Sequence, residues 1–389
     1  MARALLVSNG HGEASIADRI ADELRALDPQ LELEHLGLVG EHLATTVANV
    51  GPQRALPSGG LIAMGNVRNI ARDVRGGLLS LTVAQYRFLL ASRKRYDVVV
   101  AIGDVYALLM ARAAGAPAVF VGTAKSVNFA PYGPWEERVL RGAAARFVRD
   151  DATAQRLREH GLDVEPAANV IVDLFATGDD PRAQRAVEGF DPAIALFPGS
   201  REDAYDDAAF LLEVVAALLP AFPRAGAVLS IARGLDADGM LQRARRDGWE
   251  AHENAGDALQ PFVLALGGRD AVRTWRGPIG PLLARVGLVL GQAGTANEAA
   301  AAAGVPVVAF ERGDDRKALW YRKRQRGLLG DAMTVLPRDA GPAAAGVRAL
   351  LEDDARRDAM GAAGRARMGA PGAARRIAQR IVELVRERD

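Results

Sequence analysis

Two glycine-bearing turns in this chain of 389 residues carry the residue types that hold a phosphate. Residues 288–310 read LVLGQAGTANEAAAAAGVPVVAF: an apolar strand, the turn Gly291-Gln292-Ala293-Gly294-Thr295, an alanine-rich helix, then another strand. Glycine lets backbone N–H groups approach a ligand closely. A helix N-terminus adds unpaired amides and a positive dipole end, which suits a diphosphate. Glu298 is expected in the first helical turn, where its carboxylate can accept from two adjacent ribose hydroxyls; the plainer alternative is a helix-favouring acid. The second turn is Pro198-Gly199-Ser200-Arg201, directly after the apolar run 194–197. Arg201 offers a permanent charge and a forked donor for phosphate oxygens. Both turns are expected at the C-terminal ends of parallel strands in one α/β unit, where ligands bind in open sheets.

Three residues are candidates for moving a proton: Asp104 after the apolar run 96–103, His11 in the loop Asn9-Gly10-His11-Gly12, and Glu13 beside it. A histidine titrates near neutral pH unaided, whereas a carboxylate needs burial to raise its pKa. Each has a structural alternative, helix capping for Asp104 and simple solvation for His11. Asp236-Ala237-Asp238 has the spacing of a metal-binding carboxylate pair but reads as a helix start, because Asp is a favoured N-cap. With 0 cysteines, thiolate metal sites and disulfides are excluded. None of the 5 histidines (His11, His35, His42, His160, His252) has another at ligand spacing, so no metal is assigned.

The elements that must position these residues alternate. Strands are expected at 4–7, 31–36, 96–103, 118–121 and 145–148, and a helix capped by Ser15 runs to about residue 27. Another apolar run lies at 169–173, followed by a polar linker over roughly 174–190. Alternation restarts at 194–197 and continues through 227–231, 271–275, 286–290 and 305–310. Continuous Val/Ile/Leu runs indicate parallel strands covered on both faces. The fold class is therefore α/β: two doubly wound, Rossmann-like domains facing a cleft, at 1–174 and 190–370. An amphipathic helix at 373–389 is expected to pack back on the first domain.

Net charge is +1, so whole-chain electrostatics give no case for nucleic acid as a partner. The N-terminal apolar run is too short for a signal peptide or membrane span, which places the chain in the cytoplasm. Residues 57–81 interleave Leu61, Ile62, Met64 and Val67 with Arg68, Arg72 and Arg75. Such an element suits peripheral contact with the inner, anionic membrane face, or else is a half-buried helix with solvated arginines. Residues 316–326 form a second basic run with aromatics, read as a solvated helix face or as a neighbour of the diphosphate or the membrane.

At four patches the chain resembles the lipid-A-disaccharide synthase family. Phe197-Pro198-Gly199-Ser200-Arg201 is similar to that family's LPGSR, and 293–308 to its SGTA…E…P-V-V segment. Residues 12–15, GEAS, are similar to its GEASGD, and the strand end at Asp104 to the one carrying its proposed catalytic aspartate. The resemblance implies a GT-B fold, a UDP-sugar donor such as UDP-GlcNAc, inverting transfer to a lipid-linked or glycolipid acceptor, and no cofactor or required metal. It implies donor binding by Gly199, Ser200, Arg201, Gln292, Gly294, Thr295 and Glu298, and proton transfer by Asp104, His11 or Glu13. GEAS here continues Ile16-Ala17-Asp18, Gly294 and Glu298 are one residue closer than in the synthase, and 126–141 replaces a Trp-rich stretch; these departures point to a synthase-related branch. Two alternatives stay open: a UDP-sugar 2-epimerase, whose His-Arg-rich segment is not found here, and a noncatalytic nucleotide-sugar binder.

Overall fold

The computed structural model describes all residues except 1, 40–45, 55–73, 176–177, 201–202, 233, 255, 312–315 and 388–389, with the backbone alone for 11 and 316–322. The chain forms two units, Met1–Leu174 with Pro371–Asp389, and Phe175–Ala370.

The first unit runs β1 (Arg3–Ser8), α1 (His11–Leu27), β2 (Glu32–Gly37), β3 (Ala48–Asn49), α2 (Leu78–Ala91), β4 (Val98–Gly103), α3 (Val105–Arg112), β5 (Ala118–Gly122), α4 (Pro134–Leu140), β6 (Ala145–Val148), α5 (Asp151–Glu159) and α6 (Val170–Leu174). Its six strands are all parallel, in the order β3-β2-β1-β4-β5-β6. β4 and β5 are buried at every residue, as strands covered on both faces must be. One face packs on α2, α3, α4 and α5, and the other on α1.

The second unit holds α7 (Pro181–Val187), β7 (Ala193–Phe197), α8 (Ala204–Leu218), β8 (Gly226–Ser230), α9 (Ala237–Arg246), β9 (Glu250–Glu253), β10 (Phe262–Leu266), β11 (Arg269–Trp275), α10 (Ile279–Leu283), β12 (Leu288–Gly291), α11 (Gly294–Ala303), β13 (Val307–Phe310), α12 (Arg316–Leu329), β14 (Met333–Leu336), α13 (Ala340–Leu351) and α14 (Asp354–Met368). Its eight strands lie in the order β14-β13-β12-β7-β8-β11-β10-β9. Only β9 and β10 are antiparallel to their neighbours. Without that hairpin, both sheets share one winding order, the doubly wound Rossmann arrangement.

The last helix, α15 (Ala373–Arg386), belongs to the first unit. Ile377, Ile381 and Val385 are buried in the same core as Ile16, Ile20 and Leu24 of α1. Its N-terminus is held by Asp173, whose carboxylate accepts from Gly372 N at 2.6 Å and Ala374 N at 2.7 Å.

Several expectations need correction. α1 starts at His11 behind an N-cap at Gly10, not at Ser15, because the chain turns directly after β1. The apolar run at 169–173, for which the sequence alone names no element, forms most of the short helix α6, which packs against α1 and α15. The stretch 174–190 is not all linker, since Asp180 caps a helix there. β3, the β9–β10 hairpin and β14 were not expected. The basic segment 57–81 falls largely outside the described residues, as do most side chains of the run 316–326.

Candidate functional site

In a doubly wound sheet the chain turns one way from the first strand and the other way from the fourth, leaving a crevice at their C-terminal ends. This switch point lies between β1 and β4 in the first unit and between β7 and β12 in the second. Every sequence-predicted site residue that is described follows one of these four strands.

In the second unit, Gly291 pairs with Phe197, and Gln292 N continues the ladder to Phe197 O at 2.8 Å. The two turns are therefore side by side. After β7, Gly199 adopts φ +120°, a conformation that favours glycine, and Ser200 is exposed. Arg201 lies outside the described residues. After β12, Ala293 is the N-cap of α11 and supplies no side-chain cap. Gly294 is half-buried and Thr295 exposed. This N-terminus thus has no cap from its own N-cap residue and lies beside the Ser200 turn.

Two members sit deeper. Gln292 is buried, and its Oε1 accepts from Phe310 N at 3.2 Å, tying the end of β12 to β13. Glu298 is 3% exposed. Because α11 begins at Gly294, Glu298 is its fifth residue and opens the second turn, a correction to the expected first-turn position. Sequence reasoning missed Asn297. Its Nδ2 donates to Gly291 O at 3.1 Å, and its side chain occupies the space a Cβ on Gly291 would need. It pins the first turn of α11 onto the end of β12.

The first unit repeats this geometry. Gly103, at φ +134°, ends β4, and a Cβ there would overlap the Asn9 side chain from the β1 turn. Asp104 follows as the N-cap of α3, its Oδ1 accepting from Tyr106 N at 3.0 Å and Ala107 N at 3.2 Å. The capping role is therefore occupied. Burial pushes its carboxyl above the usual carboxylate range; the two amide bonds pull it down less, and nearby Glu136 adds to the rise. Glu13 folds back over Gly10, and its Oε1 accepts from Thr123 Oγ1 at 3.2 Å after β5. His11 is the first residue of α1, and its side chain lies outside the described set.

Beneath the β1 turn lies a polar chain invisible in the sequence. His35 Nδ1 donates to Asn49 Oδ1 at 2.7 Å, leaving Nε2 to accept from Ser8 Oγ at 2.9 Å. Burial lowers the His35 pKa, opposed by the Asn49 bond and the charge of Asp18. Ser8 and His35 are fully buried, so their bond braces β1 against β2, and the bond to exposed Asn49 ties in β3. Asp236 caps α9, accepting from Asp238 N and Gly239 N at 3.1 Å each. No group of three or more potential ligands for a metal occurs among the described residues.

No protein-family profile and no curated protein matches the chain. Its fold does match solved structures. S. aureus MnaA, solved with UDP, aligns over 99% of this chain and 97% of its own at 13% identity and TM-score 0.62. UDP-GlcNAc 2-epimerase from Neisseria meningitidis, bound to UDP-GlcNAc, aligns over 99% and 100% at 12% identity and TM-score 0.55. Acinetobacter baumannii MurG aligns over 100% of both chains at 13% identity and TM-score 0.58. The fold class is α/β of the GT-B type, with two Rossmann-like units.

Proposed function

We propose that the chain binds a UDP-sugar at the switch point of the second unit and transfers the sugar, with inversion, to a lipid-linked hydroxyl acceptor held by the first. The carrying observation is the N-terminus of α11, whose N-cap Ala293 supplies no side-chain cap and whose Thr295 is exposed, beside the Ser200 turn. A diphosphate there meets amide donors and the positive helix end. Arg201 is the proposed cation and Glu298 the proposed ribose partner. The motif resemblance favours a synthase-related branch, UDP-GlcNAc as donor and a glycolipid product.

In the transfer, Asp104 accepts the acceptor hydroxyl's proton as the oxygen bonds to the anomeric carbon. The bond from that carbon to the phosphate oxygen breaks, and UDP leaves with the electron pair. His11 is the rival base and Glu13 a third. A UDP-sugar 2-epimerase is the second reading, favoured by the fold likeness to epimerases solved with UDP or UDP-GlcNAc. Incubation with UDP-GlcNAc tests both. UDP release only when lipid extract is added supports transfer, and 2-epimerisation without acceptor supports the alternative. Binding without either outcome leaves a nucleotide-sugar binder. Glu298→Ala is expected to weaken UDP binding by about 1–3 kcal/mol, the scale for hydroxyls left without partners. Unchanged affinity in a variant that keeps its melting temperature removes the ribose role.

A further inference from the structure

Two glycines end the strands beside Asp104. Gly103 of β4 and Gly122 of β5 are paired in register. Ala101 and Phe120, two residues earlier, lie in the core shared with α3 and α4, so the pleat puts both glycines on that same face. Each lacks a Cβ where another side chain crosses its strand. The Asn9 side chain lies over Gly103, and the Tyr132 hydroxyl lies over Gly122, 2.5 Å from where a Cβ would sit. Asp104 follows Gly103 directly, with Oδ1 held by the first amides of α3. Three polar side chains thus converge at one corner of the sheet.

Tyr132 is held firmly in that corner. It is 3% exposed, and its ring meets Phe120 edge-on at 6.3 Å between centroids. Lys125 Nζ lies 5.8 Å from its ring centre. The next residue, Gly133, donates through N to Glu136 Oε2 at 2.8 Å, and the same oxygen takes the Lys125 ammonium at 2.6 Å. Val127 N ties the preceding loop to Thr153 Oγ1 at 3.0 Å. Yet the buried hydroxyl of Tyr132 has no hydrogen-bond partner among the described residues. A buried hydroxyl costs free energy unless it is bonded, so a site that needed only the ring would be served as well by phenylalanine. Burial pushes the phenol's pKa up, the charges of Glu136, Asp104 and Asp150 add to the rise, and Arg149 opposes it. The hydroxyl therefore keeps its proton and can donate it. Facing Asp104 are Glu136 of α4, Tyr106 of α3 and Tyr132. Tyr106 turns its hydroxyl toward Thr82 at 3.5 Å, Lys125 is engaged by Glu136, and Glu13 by Thr123.

We infer that Tyr132 is a positioning residue for Asp104: its hydroxyl donates toward Oδ2 through one water held at this corner, and so fixes the carboxyl in the orientation that receives a proton. Oδ2, the Asn9 amide and the hydroxyl together give such a water the two to four polar partners it needs. A donor to a carboxylate favours its charged form, so the hydroxyl moderates the rise that burial imposes on Asp104. The inference rests on Asp104 as the proposed base and adds no group that touches substrate.

Tyr132→Phe in the full chain tests it, with the Asp104 carboxyl followed by carbon-13 NMR and assigned through Asp104→Asn. Removing the donor is expected to raise the Asp104 midpoint by about 0.5–1 pH unit, the scale of one hydrogen bond. The acid limb of kcat is expected to move up with it, while KM and UDP affinity stay at wild-type values. In the wild type, the hydroxyl-bearing ring carbon of Tyr132 is expected to titrate with the Asp104 midpoint and to lose that step in Asp104→Asn, a measurement that needs no change at residue 132. An unmoved Asp104 midpoint in Tyr132→Phe overturns the inference, most plainly where the melting temperature rises, because the hydroxyl is then only a buried group without a partner. So does a Tyr132 resonance that does not follow Asp104. A shifted midpoint with an unchanged pH profile of turnover leaves the link between the two residues standing and removes Asp104 as the base, so the two readings fail separately.

Discussion

As the proposed base, Asp104 would carry two demands on one carboxylate. Oδ1 holds the first amides of α3, so a proton taken from an acceptor goes to Oδ2. Burial raises the carboxyl's pKa, so the folded chain holds this proton at a pH where an unfolded one has released it. The sign follows from linkage: stability due to this group falls as pH rises from the unfolded value through the raised folded one. Asp104→Asn keeps a capping acceptor and removes the ionisation. Its melting temperature at neutral pH is expected to match or exceed wild type, while turnover falls about 10²-fold or more with donor binding intact. In the wild type the acid limb of kcat/KM is expected above the ordinary carboxylate range. If Asp104→Asn turns over normally while His11→Ala does not, the base is His11. The residue types at strand-to-turn junctions were legible because each junction is a local pattern, an apolar run broken by glycine. The depth of Glu298, the Asn297–Gly291 contact and the His35 chain were not, because each depends on residues brought together by folding.

At the scale of elements, the candidate donor site depends on where α11 sits. Its alanine-rich face, Ala299 to Ala301, is buried, and α14 crosses it through two glycines. A Cβ on Gly361 would overlap the Gly304 carbonyl, and one on Gly364 the Ala301 carbonyl. Backbone cannot yield as a flexible side chain can. Gly364→Val is therefore expected to cost about 1–3 kcal/mol in urea unfolding, the range for overpacked interiors, and to weaken UDP binding by displacing α11. A variant with wild-type stability would show that the helices do not need this close approach. The alanine run was readable as a helix, but the requirement for small residues on both sides was not, since 291–304 and 361–364 are distant in sequence. β9 escaped for another reason: Glu250–Glu253 is short, polar and mostly exposed, so it lacks the alternation that marks a strand. At α1 the favoured cap residue Ser15 misled, because β1 ends at Ser8 and Gly10 starts the helix with no side-chain cap.

At the scale of the molecule, the restart of alternation near residue 194 was visible in sequence. The amphipathic stripe of α15 showed that it must bury a face, expected to lie against the first domain, but not what would hold its N-terminus there. Asp173 supplies part of that answer by binding Gly372 N and Ala374 N with a buried carboxylate. Asp173→Ala leaves those amides without partners and is expected to destabilise the first unit by about 2–3 kcal/mol, the scale for bonds to a charged acceptor. Thermal unfolding followed separately in each unit measures this, and equal destabilisation of the second unit would count against it.

The return of α15 also sets an order of assembly during synthesis. The first unit is written in two pieces, with the whole second unit between them. While the chain is still on the ribosome, Ile16, Ile20 and Leu24 of α1 have emerged long before Ile377 and Ile381 exist to cover them. The usual N-terminal-first sequence of domain completion is therefore reversed. The second unit, continuous in the chain, can finish first, and the α1 face of the first unit stays uncovered until Ala373–Arg386 has been made.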